Sequence, residues 1–180
     1  MAFSLIAPLV LAAAAASPAT LAEFEKTLAA QDSATAALGQ WCAVRRLADP
    51  PVIRALPRPV TAAQRTSAKI RHLLKLRRGE TVTLRHVDLT CGTAVLAIAW
   101  NWYVPGRLTP EMNAALSEGN TPFGKVAAPL HFRRETLAIT AGPAENCPAE
   151  TISTHRAVLR LPDGKPLAYV VECYTRQNLR

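Results

Sequence analysis

Several polar or charged side chains stand in stretches whose other residues are typical of protein interiors. Residues 95–104 read Val-Leu-Ala-Ile-Ala-Trp-Asn-Trp-Tyr-Val, a nearly continuous apolar run that is typical of a strand covered on both faces. With a period of two, Asn101 and Tyr103 share a face with the small Ala97 and Ala99, which leave room beside the two polar groups. We therefore predict a cavity on this face. The opposite face would carry the bulkier Leu96, Ile98, Trp100, Trp102 and Val104.

Arg85 is a charged residue within another apolar stretch. The alternation set by Leu84 conflicts with that set by Val87, and a bulge near Arg85 would resolve the conflict. A guanidinium group can hold a planar carboxylate through two parallel hydrogen bonds, so Arg85 is a candidate for binding an organic acid. The alternative is an arginine of an edge strand in a surface ion pair.

Glu172, near the end of the chain, is likewise a charged residue within an apolar stretch. Its predicted strand face also carries Ala168, Val170 and Tyr174, so the carboxylate again accompanies mostly smaller residues. A buried glutamate can act as a general acid or can hydrogen-bond a hydroxyl group of a substrate. The alternative is an ion pair between Glu172 and Arg85 that closes the sheet and leaves no catalytic group free.

These side chains need a sheet to position them, and the sequence predicts one. Leu21 to Leu38 is predicted as a helix that stops at Gly39, Asp49 to Pro59 as a proline-rich loop or extended arm, and Thr61 to Gln64 as the capping box of a basic helix. Thr109-Pro110-Glu111 marks the start of an inserted helix. The predicted strands are Thr81–Leu89, Ala94–Val104, Leu130–Ile139, Ile152–Leu161 and Leu167–Tyr174. The fold class is therefore α+β, with a mostly antiparallel sheet, N-terminal helices and one inserted helix.

Five short motifs, in this order along the chain, resemble those of chorismate-pyruvate lyase, whose fold also appears in the UTRA domains of GntR-type regulators. They are Asp32-Ser33-Ala34-Thr35, Tyr103-Val104-Pro105, Leu108-Thr109-Pro110-Glu111, Thr121-Pro122-Phe123-Gly124, and Gly164-Lys165-Pro166-Leu167 followed by Glu172. The resemblance runs from about Gln31 to Tyr174 and implies a single domain of chorismate lyase-like fold.

The resemblance also implies a site and a function. Arg85 and Glu172 correspond to active-site residues of the lyase, and Asn101, Tyr103, Phe123 and Gly124 are the substrate-binding candidates. The expected ligand is a small aromatic or cyclic carboxylate, and the expected reaction, without metal or cofactor, is elimination of pyruvate from chorismate to give 4-hydroxybenzoate. Asn101 stands where the lyase has a second arginine, which favours the alternative, a non-catalytic ligand-sensing or interaction module of the same fold.

The N-terminus predicts export. Residues 1–22 carry no charged side chain and are rich in alanine and leucine, as in a cleaved secretory signal, which leaves 23–180 as the single domain. An uncleaved anchor or a buried helix is the alternative, since the usual basic residue is missing. Four cysteines, Cys42, Cys91, Cys147 and Cys173, fit two disulfides in a periplasmic or secreted protein, with three pairings open. We expect no stable membrane insertion after removal of the leader, and a cytoplasmic protein if it is not a signal.

The net charge of +8 favours anionic partners in general. Much of the excess lies between Arg65 and Arg78, where basic residues fall on the helix face opposite Ile70 and Leu74. A solvated helix face explains this pattern better than a nucleic-acid site, because no aromatic residues interleave with the basic ones and no DNA-binding motif is present. The sequence therefore predicts no nucleic-acid partner.

Overall fold

The computed structural model describes residues 18–61, 67–144 and 146–180. Six strands form one antiparallel sheet in the order β1-β2-β3-β6-β5-β4. The strands are β1 Ile53–Pro57, β2 Thr83–Cys91, β3 Ala94–Tyr103, β4 Arg133–Ala141, β5 Ser153–Arg160 and β6 Pro166–Tyr174. The helices are α1 Leu21–Ala29, α2 Ala34–Val44, α3 Ala68–Leu73, α4 Pro110–Ser117 and α5 Phe123–Ala127. The predicted α+β class with an antiparallel sheet is confirmed.

Helices cover both faces of the sheet. On one face, α1 and α2 pack Phe24, Leu38 and Trp41 against one end of the sheet. At the other end of that face, α4 and α5 contribute Leu116 and Phe123. On the opposite face, Ile70 of α3 and Leu74, which follows the end of that helix, pack against Trp100, Trp102 and Tyr169. Because β3 and β6 are central and covered on both sides, every residue of β6 is buried.

The helix predicted from Leu21 to Leu38 is two helices. Ser33 accepts a hydrogen bond from the amide of Ala36 and starts a new helix there, because a serine hydroxyl satisfies an amide at a helix start. Gly39 does not end a helix but lies inside α2. The proline-rich stretch contains β1, which lies at the edge of the sheet, where a proline is tolerated. Two α-helices, α4 and α5, follow β3 where one inserted helix was predicted.

The bulge predicted near Arg85 lies elsewhere. Arg85 pairs regularly with Asn101, and the register of β2 with β3 shifts between Leu89 and Thr90. On β3 the pairing skips Leu96, so Leu96 packs with the α1 and α2 cluster while Val95 packs on the other face. The predicted alternation of β3 therefore holds from Ala97 to Tyr103 and is reversed before it.

Two disulfides join distant parts of the chain. Cys42 of α2 is bonded to Cys91 at the end of β2, and Cys147 of the loop before β5 is bonded to Cys173 of β6. No cysteine is free. The predicted pair of bridges is thus present, and its pairing was one of the three that the sequence left open.

The described part of the basic segment contains α3. Ser67 caps α3, with Lys69 and His72 exposed and Ile70 buried, as its pattern predicted. The predicted capping box from Thr61 to Gln64 falls largely outside the described residues. The predicted leader also lies mostly outside them, and the domain boundary after residue 22 stays a prediction. Thr20 caps the first helix, so residues 21 and 22 belong to its first turn.

Candidate ligand-binding site

The centre of the candidate site is the pair of strands β3 and β6. Ala99 lies opposite Glu172 and Asn101 opposite Val170, so Asn101 and Glu172 project from the same face. Both are buried, with 6% and 4% of their surface exposed. Asn101 and Glu172 both line a cavity on this face. The amide of Asn101 can donate to and accept from a ligand or a water molecule there.

Glu172 is held by two neighbours. Arg134 of β4 donates to both carboxylate oxygens at 2.6 and 3.4 Å, and the hydroxyl of Tyr174 donates at 3.0 Å. Burial alone would lower the pKa of Arg134, but attraction to the Glu172 carboxylate outweighs it and raises that pKa. Burial and the same carboxylate raise the pKa of Tyr174 well above its usual value. The site therefore contains a charged pair and a neutral phenol, both shielded from water.

Arg85 lies beside this centre rather than in it. Its Nη2 donates to the carbonyl oxygens of Gly119 at 2.8 Å and Thr121 at 3.2 Å. Its Nη1 is buried and has no partner, and burial lowers the pKa of the guanidinium. Electrostatic interaction with the phenol of Tyr103 raises the pKa of Arg85 and so opposes the effect of burial. The ring centroid of Tyr103 lies 5.4 Å from that of Phe123. Arg85 thus fixes the loop before α5 and keeps one donor free.

The α1–α2 link, residues 30–33, and the start of α5 cover the cavity in front of Asn101 and Glu172. Gly124 approaches this link so closely that an added Cβ would lie 2.3 Å from Oγ of Ser33 and 2.8 Å from Oγ1 of Thr35. Leu89, Phe132 and Leu159 supply much of the apolar wall. Its free volume is about 20 Å³, enough for a single water molecule. The cavity is therefore closed to a ring-sized ligand in this conformation.

Two larger openings adjoin the closed cavity. A polar cleft of about 300 Å³ shares Asp32 and Arg134 with it and contains the pair of Glu25 and His155, whose Oε2 and Nε2 atoms are 2.8 Å apart. Burial would raise the pKa of Glu25, but the neighbouring His155 and Ser153 side chains lower it overall. An apolar groove of about 370 Å³ lies on the other side of the cavity.

The structure brings together four of the six residues proposed from the sequence. Asn101, Phe123, Gly124 and Glu172 line the cavity, whereas Arg85 and Tyr103 are buried next to it. Their proposed roles stay predictions. The suggested ion pair of Glu172 with Arg85 is not formed, since Arg134 occupies that position. Two further basic side chains lie away from the cavity: Arg133 is 83% exposed and pairs with Asp32, and His86 stacks on Trp100.

Arg134 is the site residue that the sequence interpretation missed. Arg134 is two residues after the buried Phe132, which lies just before β4. In an extended chain, residues two apart point to the same face, and both side chains line the cavity. That signal was present in the sequence, but the burial of Phe132 was needed to use it. Asp32 was noted only for its resemblance, and it accepts hydrogen bonds from the Arg134 amide and from Nη1 of Arg133.

The described segments contain neither a cluster of metal-binding side chains nor a helix that could span a membrane. Nowhere in them do three or more histidine, cysteine or acidic side chains converge as a metal site would require. Within the same segments, every helix is too short or too polar to cross a bilayer.

Comparisons with known proteins define the family. No family model matches the chain. PhnF from Mycobacterium smegmatis superposes with a TM-score of 0.57 at 12% identity, covering 83% of this chain and 66% of that one. YydK from Bacillus subtilis, a possible transcriptional regulator, superposes with a TM-score of 0.50 at 11% identity, covering 71% of this chain and 60% of that one. The chain thus spans less than two thirds of either neighbour.

At such low identity these superpositions show the fold alone. It is the chorismate lyase-like fold, which the UTRA domains of GntR-type regulators also have. The uncharacterized protein y4mC of Sinorhizobium fredii is 35% identical over 182 aligned positions, which cover 89% of this chain and 76% of y4mC. The chain therefore belongs to the same protein family as y4mC.

Proposed function

We propose that this protein is a ligand-binding domain that holds one small cyclic carboxylate between the sheet and the covering segments, without converting it. The observation that carries the proposal is the buried Nη1 of Arg85, which has no partner and belongs to the residue paired with Asn101 of the cavity wall. A pocket with apolar walls and a few convergent polar groups is the usual form of a small-molecule site. The fold, which regulators use for ligand-binding domains, supports the same function.

A carboxylate fits the polar groups at one end of the cavity. Asn101 and Arg85 are directly paired across β2 and β3, so their side chains are neighbours on one face. The amide of Asn101 and the free Nη1 of Arg85 can each donate to a carboxylate oxygen. Phe123 and Phe132 offer apolar walls for a ring. A ring needs more than the present volume, so binding requires the α1–α2 link to move away from Gly124.

The contacts of Glu172 support binding rather than catalysis. Both of its oxygens accept hydrogen bonds, from Arg134 and Tyr174, so the carboxylate is engaged in the protein itself. A general acid or base must reach a proton of the substrate. The charge of Arg134 is already balanced by Glu172, which leaves Arg85 as the cation next to the cavity for a dianion such as chorismate. Lyase activity is therefore the narrower alternative.

Calorimetric titration tests the proposal. We expect the protein to bind 4-hydroxybenzoate, and Asn101→Leu to weaken binding by at least tenfold, because it removes the donor while keeping the volume. Asn120→Leu, at an exposed position outside the cavity, is the matched control and should bind like the wild type. No binding by the folded wild type to any of a panel of cyclic carboxylates, or equal binding by both variants, would reject the site.

The same samples distinguish binding from catalysis. Incubation with chorismate should release neither pyruvate nor 4-hydroxybenzoate above the uncatalysed rate. Release by the wild type that disappears in a sample of Glu172→Gln shown to be folded by circular dichroism would establish the lyase instead.

A further inference from the structure

We infer that the natural ligand of this site carries an apolar substituent, an alkyl or aryl group, that lies in the apolar groove beside the cavity. The inference rests on the proposed function and specifies its ligand class. Cavity and groove share Ser33, Thr35 and Gly124, so one layer of side chains separates them. A ligand whose ring occupies the cavity is thus within reach of the groove.

The groove has the size and surface of a site for part of a small molecule. Its volume of about 370 Å³ lies within the range of ligand pockets, whereas the cavity itself offers about 20 Å³. Small side chains shape its floor, namely Ala36 and Gly39 of α2 and Ala128 after α5. Val52, which is 43% exposed, lines it from the segment before β1. Most of this surface is carbon, so an alkyl or aryl group placed there leaves water at little polar cost.

The partition between the two spaces can open without unfolding. It consists of the hydroxyl side chains of Ser33 and Thr35 against the backbone of Gly124, which has no side chain in the way. Ser33 holds a single amide of α2, that of Ala36, at 3.4 Å, a long hydrogen bond that costs little to break. The buried, unpartnered Nη1 of Arg85, on the residue paired with Asn101, independently indicates that an acceptor group of a ligand belongs at the cavity. The two observations together assign a polar head to the cavity and an apolar tail to the groove.

A homologous series of benzoates tests the inference. We would titrate the protein with methoxy, propoxy and pentyloxy benzoates, substituted at the 3- or the 4-position, beside 4-hydroxybenzoate. Each buried methylene should improve affinity by about threefold to fourfold in one of the two series. Val52→Asp should abolish this gain with chain length but leave 4-hydroxybenzoate binding unchanged, because the added charge stands at the groove only. Val44→Asp, at a valine that is 69% exposed and outside the groove, is the matched control and should keep the gain.

The outcomes separate the two proposals. Binding of 4-hydroxybenzoate with affinities that do not depend on chain length would overturn the groove inference and leave the cavity site standing. A chain-length gain that survives in Val52→Asp, or that is lost equally in Val44→Asp, would overturn it as well. Failure of the folded protein to bind any member of the series would remove the proposed function itself.

Discussion

Glu172 holds a carboxylate where water is almost excluded. Its side chain is 6% exposed and that of Arg134 is 10% exposed, so both charges have lost most of their hydration. Their mutual attraction compensates for this loss only while both are present. The hydroxyl of Tyr174 satisfies a further lone pair of Glu172. The pair is therefore a sensitive point of the fold as well as a wall of the cavity.

Breaking this pair from one side should be costly. Glu172→Gln keeps the size of the side chain but leaves the Arg134 guanidinium buried without a counter-charge. We expect a loss of about 3 to 5 kcal/mol in the free energy of unfolding. Denaturant-induced unfolding followed by circular dichroism measures it. The double variant Glu172→Gln/Arg134→Met should recover most of the loss, because no buried charge remains unpaired.

The surface pair of Arg133 and Asp32 provides the control. Arg133 is 83% exposed, so Arg133→Met should cost less than about 1 kcal/mol. A loss in Glu172→Gln as small as that in Arg133→Met would show that water reaches the buried pair and that the cavity is open in solution.

Single residues could be predicted where their strand neighbours were informative. Asn101 and Glu172 stand out because uninterrupted apolar runs surround them, and both lie at the site. Arg134 lies in an edge strand with mixed polarity, where one more arginine looks like a solvent-facing residue. Its role depends on Glu172, which lies two strands away on β6, and no local pattern shows that the sheet brings the two side chains together.

At the scale of elements, the approach of α5 to the α1–α2 link closes the site. Gly124 permits this approach because backbone alone stands opposite Ser33 and Thr35. The link exists because Ser33 starts α2 where the apolar pattern of α1 continues. The closed cavity therefore depends on a glycine in one helix and a capping residue in another.

Adding a methyl group at this contact should open the site. In Gly124→Ala the new Cβ would stand 2.3 Å from Oγ of Ser33, so the link must shift. We expect a loss of about 1 to 3 kcal/mol in the free energy of unfolding. Hydrogen exchange of the amides at 30–36 should become faster. Gly106→Ala is the matched control, since no atom lies within 4 Å of an added Cβ there. Equal stability of the two variants would show that the contact is loose.

Helices and strands could be predicted where the periodicity of apolar residues alone determines them. They were missed where a helix cap or a pairing strand determines where they begin or whether they form. The strands of the second half agree with their predicted spans to within about three residues at each end. The division of the first helix needs the Ser33 cap, and β1 forms in a proline-rich stretch because β2 provides a partner. The pairing between β2 and β3 is regular at Arg85, so the change in hydrophobic alternation there needs no extra residue. The bulge lies at Leu96 instead.

At the scale of the whole molecule, the two disulfides connect the helices and loops to the central sheet. One fastens α2 to the end of β2 and the other fastens the loop before β5 to β6. Disulfides persist in oxidising compartments. The export to the periplasm or beyond stays a prediction. The even number of cysteines predicted two bridges. Their pairing depends on the fold, because the two cysteines of one bridge are 49 positions apart in the sequence and those of the other are 26 positions apart.

Export should leave the first helix intact. Thr20 accepts a hydrogen bond from the amide of Glu23, whose carboxylate accepts one from the amide of Thr20, and Ala19 is buried. Cleavage after residue 22 would remove this cap, at a cost of about 1 kcal/mol. We therefore expect the mature chain to begin at or before Thr20. Intact-mass measurement of the protein recovered from the periplasm checks this, and an unprocessed Met1 would contradict it.

The same recovered protein should contain both bridges and depend on them. Alkylation without reduction should label no cysteine, and proteolysis should yield peptides that link Cys42 with Cys91 and Cys147 with Cys173. The chain-entropy model gives a loss of about 4 kcal/mol for Cys42→Ala/Cys91→Ala and about 3.5 kcal/mol for Cys147→Ala/Cys173→Ala, because the first bridge closes the longer loop. Unfolding in denaturant measures both. Four thiols that alkylate without reduction would contradict export and bridges together.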